Sequence, residues 1–216
     1  MGIYGQVIGP RLADAVCGLP ILKAHRRRIV SRARGVVVEL GIGAGHNLPF
    51  YDRTRVERLV AVNPADGFLR RGAIEAAADG LAIEIIEQSA EALPLPTGFA
   101  DSVVVTYTLC SIADVKAALA EARRILKPDG LFLFCEHGRS TRLSTARLQE
   151  RLTPLWQPLA CGCRLDRDPV SLLERAGFQI DCLEQGPLRG VPAVVGFHHV
   201  GVASPRQDTV ELPLSA

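Results

Sequence analysis

The feature that most constrains this chain is a strand-like run, Val36–Leu40 (VVVEL), that ends directly in glycines at alternate positions, Gly41, Gly43 and Gly45. A short run of this kind is stable only where both of its faces are covered. Glycine at alternate positions lets the backbone turn sharply and approach a ligand closely, because no side chain stands in the way. A helix starting after such a turn presents free N–H groups to whatever binds there.

The rest of the chain repeats the alternation. Arg58–Val62 (RLVAV), Ala82–Glu87 (AIEIIE), Asp101–Thr106 (DSVVVT) and Leu131–Glu136 (LFLFCE) are further strand-like runs, while Gly67–Ala78 and Val115–Leu126 carry helical patterns. Short apolar runs alternating with helical segments predict an α/β fold, a parallel sheet with helices on both faces. Lys127-Pro128-Asp129-Gly130 predicts the end of one helix and a turn into the fifth strand. Beyond Arg139 a polar stretch leads to Leu155-Trp156 and CGCRLDRDP. A short helix around Val170–Ala176 follows, closed by Gly177, and then the strand-like runs Phe178–Leu183 and Ala193–Val202. A βαβ series closed by a late hairpin reads as one domain over 1–216.

Net charge is +2, too small to argue for a nucleic-acid partner, and none is expected. Six cysteines would suit disulfides only in an oxidising compartment, and the N-terminus lacks the apolar core of a signal peptide. The expectation is therefore a reducing cytoplasm and free thiols. No stretch approaches the roughly 18 consecutive apolar residues of a membrane span, so a soluble or at most peripheral protein is expected. The basic run Lys23–Arg34 reads as a solvated helix face, or alternatively as a weak peripheral contact with anionic lipid or an anionic substrate. Oligomeric state is open.

The glycine spacing discriminates between ligands. A dinucleotide fingerprint is G-x-G-x-x-G, whereas this chain has G-x-G-x-G. Glu39, just before the first glycine, suits a ligand carrying positive charge. Both points disfavour NAD.

Glu39-Leu40-Gly41-Ile42-Gly43-Ala44-Gly45 resembles the first motif of the class I S-adenosylmethionine-dependent methyltransferases. The order of the motifs that follow is similar over Val36–Gly138. The resemblance implies a Rossmann-like, doubly wound, seven-stranded, mostly parallel sheet with a C-terminal antiparallel hairpin. It implies a helical lead-in over 1–34, a cofactor-binding core over 35–138, and an acceptor-side insertion with the last two strands over 139–204. The implied cofactor is S-adenosyl-L-methionine, with Glu39, Gly41, Gly43 and Gly45 around its amino-acid and nucleoside parts. Asn63, in Val62-Asn63-Pro64-Ala65, stands where the family has an acid for the ribose hydroxyls; an amide accepts such a bond without the strengthening charge. Pro64 flanks it. Ser89, Ala90 and Glu91 resemble the third motif, which packs on the adenine. Thr108, Leu109 and Cys110 follow the fourth strand, where the family lines both pockets.

LGIGAGHNLPFYD, YTLCSI, EHG and LTPLWQPLACGCRLDRD are similar to a small-molecule group that includes alkyl thiol S-methyltransferases. The same region also resembles quinone and phospholipid methyltransferases. A thiol, with a pKa near 8.5, needs little help to react. His137, after the fifth strand, is the candidate general base, with Glu136 beside it. Tyr4, Tyr107, Cys110 and Trp156 are candidate acceptor-pocket walls. No metal is expected, because Cys161-Gly162-Cys163 does not have the usual zinc-site spacing and His198-His199 point to opposite faces of a strand; a free Cys163 lining the acceptor pocket is the expectation. Three readings remain open: methylation of a small, fairly apolar acceptor with a thiol preferred, methylation of a lipid amine or quinone at a membrane surface, and a non-catalytic cofactor-binding homologue.

Overall fold

Successive residues of a strand point to opposite faces, so an unbroken apolar run needs cover on both. The computed structural model, which describes residues 8–64, 69–70, 74 and 80–207, meets this condition at β1 (Gly35–Leu40). Val37 joins a layer with Ile29, Val30, Leu59, Ala61 and Leu133. Val38 and Leu40 join Val60, Val103, Leu119 and Phe132 on the other side. The remaining strands are β2 (Val56–Val62), β3 (Ile83–Ile86), β4 (Ala100–Thr106), β5 (Leu126–His137), β6 (Phe178–Pro187) and β7 (Phe197–Pro205). They form one sheet in the order β3-β2-β1-β4-β5-β7-β6. The first five pair in parallel. β7 runs antiparallel to both β5 and β6. This is the Rossmann-like, mostly parallel seven-stranded sheet with a C-terminal hairpin that the sequence implies. The chain leaves β1 for β2 on one side and returns to β4 on the other, which opens a crevice at the carboxyl ends of the strands.

The helices are α1 (Gly9–Cys17), α2 (Pro20–Val30), α3 (Val115–Ile125), α4 (Leu143–Leu159), α5 (Pro169–Arg175) and α6 (Ala193–Gly196). α3 buries Val115, Ala118, Leu119, Ala122 and Ile125, the spacing of one helical face. Asp114 starts it by accepting from the backbone N–H groups of Lys116 and Ala117 at 3.1 and 3.0 Å. Asp168 caps α5 in the same way through Val170 at 3.1 Å. Gly177, predicted to close that helix, has φ +82°, as a left-handed terminator requires. Among the described residues no helix is long and apolar enough to cross a membrane.

Three expectations are corrected. The polar stretch after Arg139 is the 17-residue helix α4, which carries Pro154 and Pro158 inside it; the prolines masked its periodicity. Ala193–Val202 is not one strand. Pro192 caps a single helical turn, with Val195 and Gly196 N–H groups bonded to its carbonyl at 3.0 and 2.9 Å, and β7 begins at Phe197. Lys127–Gly130 does not separate α3 from β5. The strand starts at Leu126, and these residues are the surplus between the pairs Ala100↔Leu126 and Ser102↔Leu131. The helical pattern over Gly67–Ala78 lies largely outside the described residues, as does Tyr4.

Candidate active site

The crevice is a cavity of about 800 Å³ at the carboxyl edge of β1, β2, β4 and β5, roofed by α1 and by the segment that follows α4. One end is built from the glycine loop. Gly41 has φ +78°, and a Cβ there would land on the side chain of Thr108. Only a bare backbone fits. Gly43, φ +56°, donates its N–H to Asn63 Oδ1 at 3.1 Å, while Asn63 Nδ2 donates to the Pro64 carbonyl at 2.8 Å. Asparagine here acts first as a clamp on the loop, accepting and donating at once, which a carboxylate cannot do. Gly41, Gly43, Asn63, Pro64, Ser89, Ala90, Glu91 and Thr108 all line this end, as the sequence implies.

Glu39, Gly45 and Leu109 do not line it. Glu39 is buried beneath the loop, its two carboxylate oxygens accepting from Asn47 Nδ2 at 2.9 Å and from the Tyr51 hydroxyl at 2.6 Å. Burial pushes its pKa up, against the hydrogen bond from Tyr51 and the charge of Arg26. It shapes the loop from below. Gly45 is bare because Leu48 packs against it; a Cβ would sit 2.8 Å from Leu48 Cδ1. Leu109 is core, and its N–H is held from behind by Glu136 Oε1 at 3.2 Å.

Sequence reasoning missed Arg26. It belongs to the basic run read as a solvated face, and it is buried instead, 4% exposed. Its Nη1 donates to Asn47 Oδ1 at 3.0 Å and also to Thr106 Oγ1, and the guanidinium lies 4.6 Å from the Tyr107 ring centroid. This cation answers the buried Glu39 and Glu136 carboxylates and ties α2 to the sheet under the loop. Its neighbour Arg28 stays outside and pairs with Glu184 at 2.5 Å.

Glu136 anchors the turn that leaves β4. Its Oε1 accepts from the N–H groups of Thr108 at 2.8 Å and Leu109 at 3.2 Å, while Oε2 has no partner. Burial lifts its pKa to about 7. Tyr107, just before, takes φ +53°, a strained conformation held by the surrounding packing. It lines the cavity, as do Cys110 and Trp156.

The other end of the cavity is apolar. α1 contributes Leu12 and Val16, and the late segments contribute Leu165, Leu188 and Val195. Three of its polar side chains converge at one point. Cys110 Sγ, His137 Nε2 and Cys163 Sγ all lie within 4.8 Å of one another. His137 Nε2 is 3.0 Å from Cys163 Sγ, and Trp156 Nε1 donates to the same sulfur at 3.3 Å. Hydrogen bonding from Cys110, together with His137 and Trp156, pulls the Cys163 thiol down to about 4. The same contact drives Cys110 well up. Burial opposes the charged form of His137, yet the hydrogen bond and charge of Cys163 raise its pKa overall. His137 is therefore not a free base: its imidazole is engaged with a thiolate. Cys163 carries no disulfide and lines the cavity, as expected from sequence, but its sulfur is held by His137 and Trp156. The sequence test for metal weighed Cys161 against Cys163; the structure pairs Cys163 with residues 53 and 26 positions away.

His198 also lines the cavity. Its Nδ1 is 3.0 Å from the Gly196 carbonyl, its Nε2 has no partner, and burial holds its pKa down to about 4. His199 turns to the other face, where Nε2 meets the Arg139 carbonyl at 2.9 Å.

Comparison with known proteins bears on what this cavity holds. The family model described as "Methyltransferase domain" matches residues 38–134. Thiol S-methyltransferase TMT1B of Rattus norvegicus is 33% identical over 171 residues, 77% of this chain and 69% of that protein. The chain belongs to the class I S-adenosylmethionine-dependent methyltransferases. A ubiquinone/menaquinone biosynthesis C-methyltransferase, UbiE of Acidiphilium cryptum (strain JF-5), is 32% identical over 139 residues, 64% of this chain and 55% of its own. In fold the methyltransferase is similar to the 1,6-didemethyltoxoflavin-N1-methyltransferase of Burkholderia thailandensis, solved with bound S-adenosylhomocysteine. The TM-score is 0.65 at 16% identity, over 90% of this chain and 82% of that one.

The residues at the glycine-loop end fit S-adenosylmethionine. The backbone of Gly41 and Gly43, the Asn63 amide and the hydroxyls of Ser89 and Thr108 line this end and suit the hydroxyl, amine and ring nitrogens of a nucleoside. The Glu91 carboxylate at the same wall suits a cationic ligand.

Proposed function

We propose that this methyltransferase transfers a methyl group to the sulfur of a small, fairly apolar thiol. The observation that carries the reading is the far end of the cavity: apolar walls among which Cys110, His137 and Cys163 converge. The thiol S-methyltransferases among its relatives point the same way.

When bound, S-adenosylmethionine supplies an electrophilic methyl group on a positively charged sulfur, suited to in-line displacement. Gly41, Gly43, Asn63, Pro64, Ser89, Ala90, Glu91 and Thr108 would hold it. The remaining task falls to the acceptor end. A thiol of pKa near 8.5 is only a few per cent ionised at neutral pH. The site must therefore favour the anion of a sulfur. His137 and Trp156 already do so for Cys163, which they help to hold near 4. An acceptor sulfur seated within reach of His137 and Trp156 would meet the same two donors. Apolar walls then exclude water and strip the anion of its hydration. His137 serves here as the partner of a sulfur anion, in place of the free general base expected from sequence.

A second reading keeps one specific observation. Leu12, Val16, Leu19 and Leu159 line the cavity yet are 46–62% exposed, so its rim is apolar. That rim suits an acceptor delivered from a membrane surface, a lipid amine or a quinone.

The test is turnover of S-adenosylmethionine with short alkyl thiols, a lipid amine and a quinol, with and without anionic vesicles. Thiol methylation independent of vesicles supports the leading reading. Turnover confined to the amine or quinol and requiring vesicles replaces it with the second.

A further inference from the structure

We propose that Cys110, His137 and Cys163 bind one zinc ion, or a like thiophilic divalent cation, and leave one coordination position open to the cavity for the acceptor sulfur. The three donors come from three separate segments: the turn after β4, the end of β5, and the loop after α4. Their ligand atoms nevertheless lie within 4.8 Å of one another, and all three residues line the cavity. Two sulfurs and one imidazole nitrogen with a fourth place free make up the protein ligand set of a catalytic zinc site. A closed structural site would need a fourth protein ligand.

The surroundings fit a soft dication. Cys110 is 5% exposed, and its sulfur has only a weak further contact, the Tyr107 carbonyl at 3.9 Å. Trp156 Nε1 donates to Cys163 Sγ as a supporting group that would orient the ligand. The loop carrying Cys163 is pinned beside Cys110, because the Arg164 N–H donates to the Cys110 carbonyl at 3.0 Å. The donors are therefore held together by backbone as well as by their own contact.

The open position gives the site its use, and this half of the proposal rests on the thiol reading of the function. An incoming R–S–H forms a metal–sulfur bond and releases its proton to solvent, since a coordinating thiol is deprotonated. The sulfur lone pair then forms the new carbon–sulfur bond. The electron pair of the broken bond stays on the departing sulfur of the methyl donor. The product is a neutral thioether, a weaker ligand than the thiolate it replaces, and it leaves.

The experiment uses the full-length, reduced protein titrated anaerobically with cobalt(II), and zinc as competitor. One equivalent should bind with thiolate-to-cobalt charge-transfer and tetrahedral d–d bands, and adding a short alkyl thiol should shift those bands. Cys110→Ser and Cys163→Ser should each weaken binding about 100-fold or more, beyond the range for supporting groups. Cys182→Ser, on the exposed edge strand, should not. Calorimetric binding of S-adenosylhomocysteine to each variant shows that it is folded. Absence of saturable binding to the folded protein, or binding that survives both substitutions, overturns the site. Full-rate thiol methylation after removal of metal by a chelator overturns the activating role while leaving the thiol reading intact. Thiol-shifted cobalt bands in a protein that methylates no thiol support the site and sink the thiol reading.

Discussion

The two ends of the cavity are built by opposite strategies. The glycine-loop end is a local structure: residues 41–48 are shaped by their own φ angles and clamped by Asn63, with Glu39, Tyr51 and Asn47 locking them from beneath. The acceptor end is assembled at long range, from α1, the turn after β4, the end of β5, the loop after α4 and the start of β7. Backbone positions dominate the first end, so its chemistry tolerates little change. Side chains dominate the second, so its chemistry can be altered residue by residue on an unchanged fold.

The sharpest way to break this contrast is at Gly41. Its φ of +78° is costly for a branched residue, and a Cβ would collide with Thr108. Left-handed strain of about 1–2 kcal/mol and overpacking of about 1–3 kcal/mol act together. Gly41→Val should therefore weaken S-adenosylhomocysteine binding about 100-fold, read by calorimetry on protein whose circular dichroism is unchanged. Binding kept within about tenfold would mean that the glycine loop is not the cofactor wall.

The contrast also explains what could be read from the chain alone. Strands β1 to β5 and the glycine loop were legible because their signals are contiguous: apolar runs bounded by turns, and a motif whose residues touch the same ligand. Asn63 was legible as a site residue but not as a clamp, since its partner Gly43 lies 20 positions away. Arg26 was hidden in a basic run, because burial is a property of packing and four of its neighbours in that run are also arginine. Cys110, His137 and Cys163 were legible one by one as acceptor-side residues, but not as a cluster. Its members are separated by 27 and 26 residues, and the nearby Cys161 offered a false pairing.

A second prediction probes the acceptor end through acid. His198 is neutral in the folded protein, its pKa lowered by burial from 6.5 to about 4. The unfolded chain binds a proton in that window and the folded one does not. Stability contributed at neutral pH is thus lost as pH falls from about 7 towards 4. At pH 4.5 the loss is roughly 2 kcal/mol, from about 1.4 kcal/mol per pKa unit. Glu136, raised to about 7, has the opposite slope, so the wild-type curve mixes the two. The comparison with His198→Asn isolates the histidine. Urea denaturation should show the stability gap between wild type and variant moving by roughly 2 kcal/mol in the variant's favour between pH 7 and 4.5. Parallel curves would show that His198 titrates alike in the folded and unfolded chain, so that burial does not lower its pKa.

The smallest expected effect is the most discriminating, because it asks whether the two ends are separable. Trp156→Phe keeps most of an aromatic wall and removes one donor, the Nε1–H that meets Cys163 Sγ at 3.3 Å. A hydrogen bond to a charged sulfur is worth about 1.5–3 kcal/mol where it is well formed. This one is long and half-buried, so its loss should cost near the bottom of that range or less. The expected result is a rise of about tenfold or less in KM for a thiol acceptor. The affinity for S-adenosylhomocysteine should stay unchanged, since the one hydrogen bond removed is to Cys163 at the other end. A matching loss of cofactor affinity would show that the ends are coupled through the turn bearing Thr108 and Cys110. That turn serves both ends, and Glu136 holds it from behind.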